Sequence, residues 1–201
     1  MKSLKEILEA SILADIDDQL EAGDEALKSV IIKWIKNNAE ITIRENKFKF
    51  DFNTTPITVD YDGIINFKND ITSLTNENFQ WGEVTYFDCS HCKSLKSLEG
   101  SPKVVKDVFS CSFCKSLKSL KGAPEEVGRY FNCSECNLES LEGAPEEVGG
   151  TFNCQGCYLL KSLEGAPKKV GGDFKCKDCG LTFTKDDVKK ICKVKGKIKW
   201  Q

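Results

Sequence analysis

Ten of the eleven cysteines in this 201-residue chain fall into five Cys-x-x-Cys pairs: Cys89/Cys92, Cys111/Cys114, Cys133/Cys136, Cys154/Cys157 and Cys176/Cys179. Two thiols three residues apart can do three kinds of chemistry. As thiolates, two such pairs can ligate a tetrahedral zinc ion. As a redox couple, a pair can exchange with disulfides. As protonated thiols, they are small, soft groups that fill a core. The interval between successive pairs, about 18 residues, is one that zinc ribbons use. Taken alone it points to metal.

The spacing is also that of a repeat. The first cysteines follow one another at 22, 22, 21 and 22 residues. An aromatic stands two residues before each: Phe87, Phe109, Phe131, Phe152 and Phe174. Variants of Leu-x-Ser-Leu-x-Gly-x-Pro come after four of the pairs, as in Leu95–Pro102, and Val105, Val127, Val148 and Val170 follow the prolines. A period near 22 lies in the range of leucine-rich repeats, about 20–29 residues per coil. Phe-x-Cys alternates as a short strand does, with both side chains on one face. The second cysteine lines the turn leaving the strand, the leucine pair returns along the back, and Gly and Pro close the coil. Such coils bury their apolar residues against neighbours and fold as a stack.

Both ends fit the same register. Ile65-x-Phe67 lies 22 residues before Phe87-x-Cys89, with Asp70 in place of a second cysteine and Ile71 and Leu74 in place of the leucines. At the other end Val194, Ile198 and Trp200 match Val170, Phe174 and Cys176, and Thr184 N-caps a short helix that replaces one return. Cys192 is placed on that helix. Ahead of the repeat, Ser3-x-x-Glu6 reads as a capping box. The apolar spacing from Leu4 to Leu20, a stop at Gly23 and a new start at Asp24 predict a helical hairpin. Lys47–Phe52 and Ile57–Tyr61 alternate as a β-hairpin. The expected fold class is α+β: a leucine-rich-repeat-like solenoid with about seven parallel strands, preceded by a small α/β N-terminal capping domain. The expected divisions are residues 1–62 (helical hairpin plus β-hairpin), 63–184 (solenoid) and 185–201 (capping helix and final strand). Residues 1–62 also admit an effector or dimerisation role, giving a homo-oligomer.

With a repeat in hand, every cysteine has a structural place, and five pairs do not divide into four-cysteine sites. Structural thiols are therefore the expectation, with no cofactor. Zinc on Cys89, Cys92, Cys111, Cys114, Cys133, Cys136, Cys154, Cys157, Cys176 and Cys179 is the minority alternative. The single histidine, His91, sits inside the first pair, where its repeat equivalents are Phe113, Glu135, Gly156 and Asp178. One histidine with no recurring acid–base partner, no nucleophile motif and no phosphate-cradling loop gives no catalytic residues. The outward strand positions form the expected binding face: Tyr86, Asp88, Ser110, Tyr130, Asn132, Thr151, Asn153, Asp173 and Lys175, with Phe113 in the adjoining turn. A net charge of −2 provides no basic field for nucleic acid, and the seven lysines after Thr184 read as edge-protecting residues. With neither an apolar leader nor a membrane-length apolar run, the expected setting is the cytoplasm.

Ser-Leu-Glu-Gly-Ala-Pro and Glu-Glu-Val-Gly-Gly-x-Phe-x-Cys over about residues 64–200 resemble the short leucine-rich-repeat-like proteins of bacteriophages and prophages. That resemblance implies a non-enzymatic, protein-binding repeat module. For a phage-encoded protein it implies an inhibitor of a host or anti-phage defence protein, working in the host cytoplasm. Two other functions stay open: a zinc-binding nucleic-acid interaction protein, and a sponge for a small nucleotide signal.

Overall fold

The computed structural model describes residues 4–39, 47–180 and 183–200, and the side chains of these from residue 21 onward. Ser3, the expected first N-cap, lies outside them. The chain is a parallel β-solenoid of about six turns with few helices. It begins with α1 (Leu4–Asn38), followed by β1 (Phe48–Asp51), β2 (Ile57–Asn66), β3 (Phe79–Asp88) and β4 (Val104–Ser110). Then come paired short strands: β5 (Glu126–Val127) and β6 (Tyr130–Asn132), β7 (Glu147–Val148) and β8 (Thr151–Asn153), β9 (Lys169–Val170) and β10 (Phe174–Lys175). Helix α2 (Lys185–Ile191), β11 (Lys193–Val194) and β12 (Ile198–Lys199) close the chain.

Two parallel ladders run the length of the stack. The first joins β2, β3, β4, β6, β8, β10 and β12, and brings Ile65, Phe87, Phe109, Phe131, Phe152, Phe174 and Ile198 into one row. These seven strands occupy the repeat register, including the coil at Ile65 and the closing strand at Ile198. The second ladder was not anticipated. The valines after the prolines form strands of their own, pairing Val105, Val127, Val148, Val170 and Val194 through β4, β5, β7, β9 and β11. In β3 and β4 a single strand spans both rows. From the third coil onward glycine divides them. A side chain at Gly128 or Gly149 would stand 2.0 Å from a carbonyl oxygen of the preceding coil. The chain corners there because only glycine allows that approach.

Inside, four successive coils each contribute one phenylalanine, two leucines, a valine and two cysteines. Neighbouring phenylalanine rings from Phe67 to Phe174 lie 5.1–5.8 Å apart. Such contacts add about 0.5–1.5 kcal/mol per pair beyond area burial. The Leu-x-Gly turns close with glycine at positive φ. At Gly122 φ is +87°, and a Cβ would meet the Glu99 amide nitrogen at 2.3 Å. Positive φ and the close coil below impose glycine together.

The N-terminal segment departs from expectation. Instead of a helical hairpin broken at Gly23, α1 is one continuous helix, and Asp24 caps nothing. A mid-helix glycine costs only about 1 kcal/mol. The flanking Leu20-Glu21-Ala22 and Glu25-Ala26-Leu27-Lys28 are strong helix formers, supported by the Glu25–Lys28 ion pair. The last turns of α1 bury Ile31 and Ile35, and Trp34 packs edge-on against Phe67 and Phe79 at 6.4 and 5.4 Å. The β-hairpin is present, with β1 antiparallel to β2 in the register Phe48↔Tyr61 and Phe50↔Val59. Strand β2 then continues into the first parallel pairing, so hairpin and solenoid share one strand across the expected boundary at residue 62. At the C-terminal end Thr184 caps α2 through a capping box with Asp187, and Cys192 is the buried C-cap rather than a helical residue.

Replacing Gly122 with Ala should destabilise the chain by about 1–3 kcal/mol, whereas Lys121→Ala, one residue away on the surface, should be neutral within about 0.5 kcal/mol. Urea unfolding of the two variants checks this. Equal midpoints would mean that the coil corner tolerates a side chain.

Candidate functional site

The cysteines sit where the strand row turns. The first of each pair is fully enclosed, one residue past the strand. The second is buried in four coils and half-buried at Cys179. Neither is merely a small apolar filler. Each second-cysteine thiol donates to a backbone carbonyl of the preceding coil: Cys92 to Lys68 at 3.3 Å, Cys114 to Cys89 at 3.1 Å, Cys136 to Cys111 at 3.1 Å, Cys157 to Cys133 at 3.3 Å and Cys179 to Cys154 at 3.3 Å. Several first-cysteine thiols donate the other way, to the following coil: Cys89 to Ser110 at 3.4 Å, Cys133 to Asn153 at 3.4 Å and Cys154 to Lys175 at 3.3 Å. Only a protonated thiol can do this. Burial pushes the thiol of Cys176 up to about 12 and that of Cys192 up to about 11, and burial likewise holds Cys133 well above its ordinary value. Among the described residues, no three or more His, Cys, Asp or Glu side chains are grouped to hold a metal ion.

The turn that carries the second cysteine needs a left-handed residue just before it. The non-glycine residues there are His91 (φ 63°), Phe113 (60°), Glu135 (59°) and Asp178 (55°), with Gly156 (68°) in the fourth coil. An L-residue in this region is strained by about 1–2 kcal/mol, and a bulky one is an outlier. The requirement is geometric: the amide at this position reaches across to the next coil, as from His91 to the Ser112 carbonyl and from Phe113 to the Ser134 carbonyl, at 2.8 and 2.9 Å. The side chain is thereby thrown outward. Phe113 keeps 40% of its surface exposed and stacks on His91, with centroids 4.7 Å apart and planes 6° from parallel. The Lys115 ammonium lies 5.7 Å from the Phe113 ring centroid and 3.6 Å from the Glu135 carboxylate.

Next to this turn is the outward strand face. Its rows are in the expected register: Tyr86, Val108, Tyr130 and Thr151 pair coil to coil, as do Asp88, Ser110, Asn132, Asn153 and Lys175. The middle of the face is less open than the alternation implies. Ser110 and Asn153 are only 5% and 8% exposed. Ser110 shares a 2.7 Å hydroxyl contact with Ser90, and the Asn153 amide donates to the Tyr130 hydroxyl at 2.9 Å and to Asn132 Oδ1 at 3.1 Å. Asp173, at the far end, pairs with Lys199 at 2.8 Å. Lys175 reaches over the Tyr130 ring. These residues form a polar ladder satisfied largely within itself, while Tyr86, Asp88, Tyr130, Asn132, Thr151, Asp173 and Lys175 remain half-exposed. In the N-terminal segment α1 and β1 border a 620 Å³ groove lined by Lys28, Ile32, Lys33, Phe48 and Phe50. No described helix is long and apolar enough to cross a membrane.

The aromatic stack was the feature hardest to read from sequence. Its one signal was Gly156, standing where the other coils carry His, Phe, Glu and Asp. A glycine in that row marks a positive-φ site.

The chain matches no family model, no curated protein and no solved structure.

The raised thiol pKa values have a pH consequence. Folded, Cys133, Cys176 and Cys192 hold protons that the unfolded chain releases near the ordinary thiol value of about 8.5. Their contribution is complete below that value and is lost as pH rises toward 11 and 12. Under reducing conditions the urea midpoint should be level from pH 7 to 8 and fall by pH 9.5. A midpoint unchanged at pH 9.5 would show that the thiols ionise as readily in the folded chain.

Proposed function

We propose that this chain is a non-enzymatic repeat module that binds another protein through the turn edge and the adjoining outward face. The reading takes the solenoid as leucine-rich-repeat-like and residues 1–62 as its cap. The carrying observation is the His91–Phe113 stack. A phenylalanine is held at positive φ and left in solvent where Gly156 shows that a side chain is unnecessary to the coil. Strain retained at an exposed aromatic is a mark of function rather than of packing. Aromatic anchors ringed by polar groups are the usual centre of a protein interface. Here Lys115 beside the Phe113 ring and its partner Glu135 supply the polar surroundings, and Tyr86, Asp88, Tyr130 and Asn132 lie on the adjoining strand face. A rigid stack presents them without an ordering cost on binding. The resemblance to phage repeat proteins suggests the kind of partner: a host or anti-phage defence protein in the cytoplasm.

Phe113→Gly separates binding from folding. Glycine relieves the left-handed strain, so the variant should melt no lower than wild type, within about 1 kcal/mol. Its capture of any bacterial-host protein retained by wild type should fall at least about tenfold, the scale of an interface anchor. Equal capture by both proteins, or no reproducible capture by wild type, overturns the reading.

A further inference from the structure

The ladder of second cysteines runs Cys92, Cys114, Cys136, Cys157, Cys179 and stops there. The next turn of the chain is α2 and β12, with Trp200 in the register of a strand cysteine and no further pair. Of the eleven cysteines, Cys179 alone is not buried. Its Sγ donates to the Cys154 carbonyl at 3.3 Å, and the side chain of that same Cys154, whose thiol donates to the Lys175 carbonyl at 3.3 Å, is within hydrogen-bonding reach of it. A solvent-reachable thiol thus adjoins an enclosed one from the coil below.

We infer that Cys179 and Cys154 form an oxidation site, in which a hydroperoxide reacts at Cys179 and the resulting group is resolved by Cys154 into a disulfide joining the fourth and fifth coils. In the first step the Cys179 thiolate sulfur attacks one peroxide oxygen. The O–O bond breaks, and the other oxygen leaves as hydroxide or alkoxide and takes a proton, giving water or an alcohol. Cys179 is now a sulfenic acid, oxidised by two electrons as the peroxide is reduced. In the second step the Cys154 sulfur, losing its proton, attacks the Cys179 sulfur. The S–O bond breaks, water leaves and the S–S bond forms.

The contact between the thiols favours this order. When Cys179 gives up its proton, the Cys154 thiol can turn from the Lys175 carbonyl to the new thiolate, which lowers the pKa of Cys179, while the same contact and burial raise that of Cys154. The exposed partner is then the one that ionises, and the thiolate is the reactive form. Cys114, Cys136 and Cys157 likewise lie against the strand cysteine of the coil below, but they are buried. Cys192 is buried behind Val188 and has no such partner among the described residues.

The test treats the folded, reduced full chain with hydrogen peroxide, blocks remaining thiols with N-ethylmaleimide and maps peptides. Trypsin cuts at Lys177, which separates Cys179 from Cys176. The expected product has lost two hydrogens and carries one intramolecular link, Cys154 to Cys179. Cys179→Ser, a half-exposed change, should slow thiol loss at least about tenfold. Cys154→Ser should leave Cys179 as a sulfenic acid that a dimedone probe traps. First reaction at any other cysteine, or a wild-type Cys179 that goes on to sulfinic acid unlinked, overturns the inference. So does a link between two chains. If the partner of the turn edge proves absent, this result is unaffected, since it reads only thiol chemistry.

Discussion

Each of the five cysteine-bearing coils rests on the one below through a thiol: the second cysteine of each pair donates its proton to a carbonyl of the preceding coil, and from Cys114 onward that carbonyl belongs to the preceding strand cysteine. A carbonyl at the end of a short strand has left its ladder and is buried, and it must find a donor or cost about 1–3 kcal/mol. The thiol is the smallest side-chain donor that can enter such a site without bringing unsatisfied groups of its own. Metal ligation would remove the proton, and the bond with it. The spacing that zinc ribbons share is here the spacing of a hydrogen-bonded stack.

Much else follows from bringing that thiol into line. The residue before the second cysteine must turn left-handed, so its side chain points to solvent and its amide reaches the next coil. That places His91, Phe113, Glu135 and Asp178 in a row along one edge, beside the polar face of the strands. Inside, sequence is nearly constant because each residue meets its own copy from the coils above and below. Along the edge it varies because only the backbone is constrained.

The repeat, its register and both atypical ends could be read from residue spacing alone. Ile65 stands in line with Phe87 because it lies one period of 22 before it, and Ile198 with Phe174 because Val194, Ile198 and Trp200 repeat the internal spacing of Val170, Phe174 and Cys176. Ambiguity entered where signals were local. Gly23 and Asp24 resemble a helix stop and start, yet helix formers on both sides carry α1 through them. The valine ladder was invisible because two residues are too few to show alternation. Outward alternation marked Ser110 and Asn153 as surface positions, but cross-coil hydrogen bonds among short polar side chains fold that surface in upon itself. The aromatic edge was hidden for a different reason: positive φ is a property of the turn, and a phenylalanine does not announce it.

The S–H stretching band of the reduced, native protein, recorded by Raman spectroscopy, reads the cysteine ladder directly. Thiols that donate to carbonyls should give a strong band displaced below the position of free thiols, and the band should return to the free position when the chain is unfolded in urea. A native band already at the free-thiol position, or no S–H band at all, would contradict a stack held by protonated cysteines.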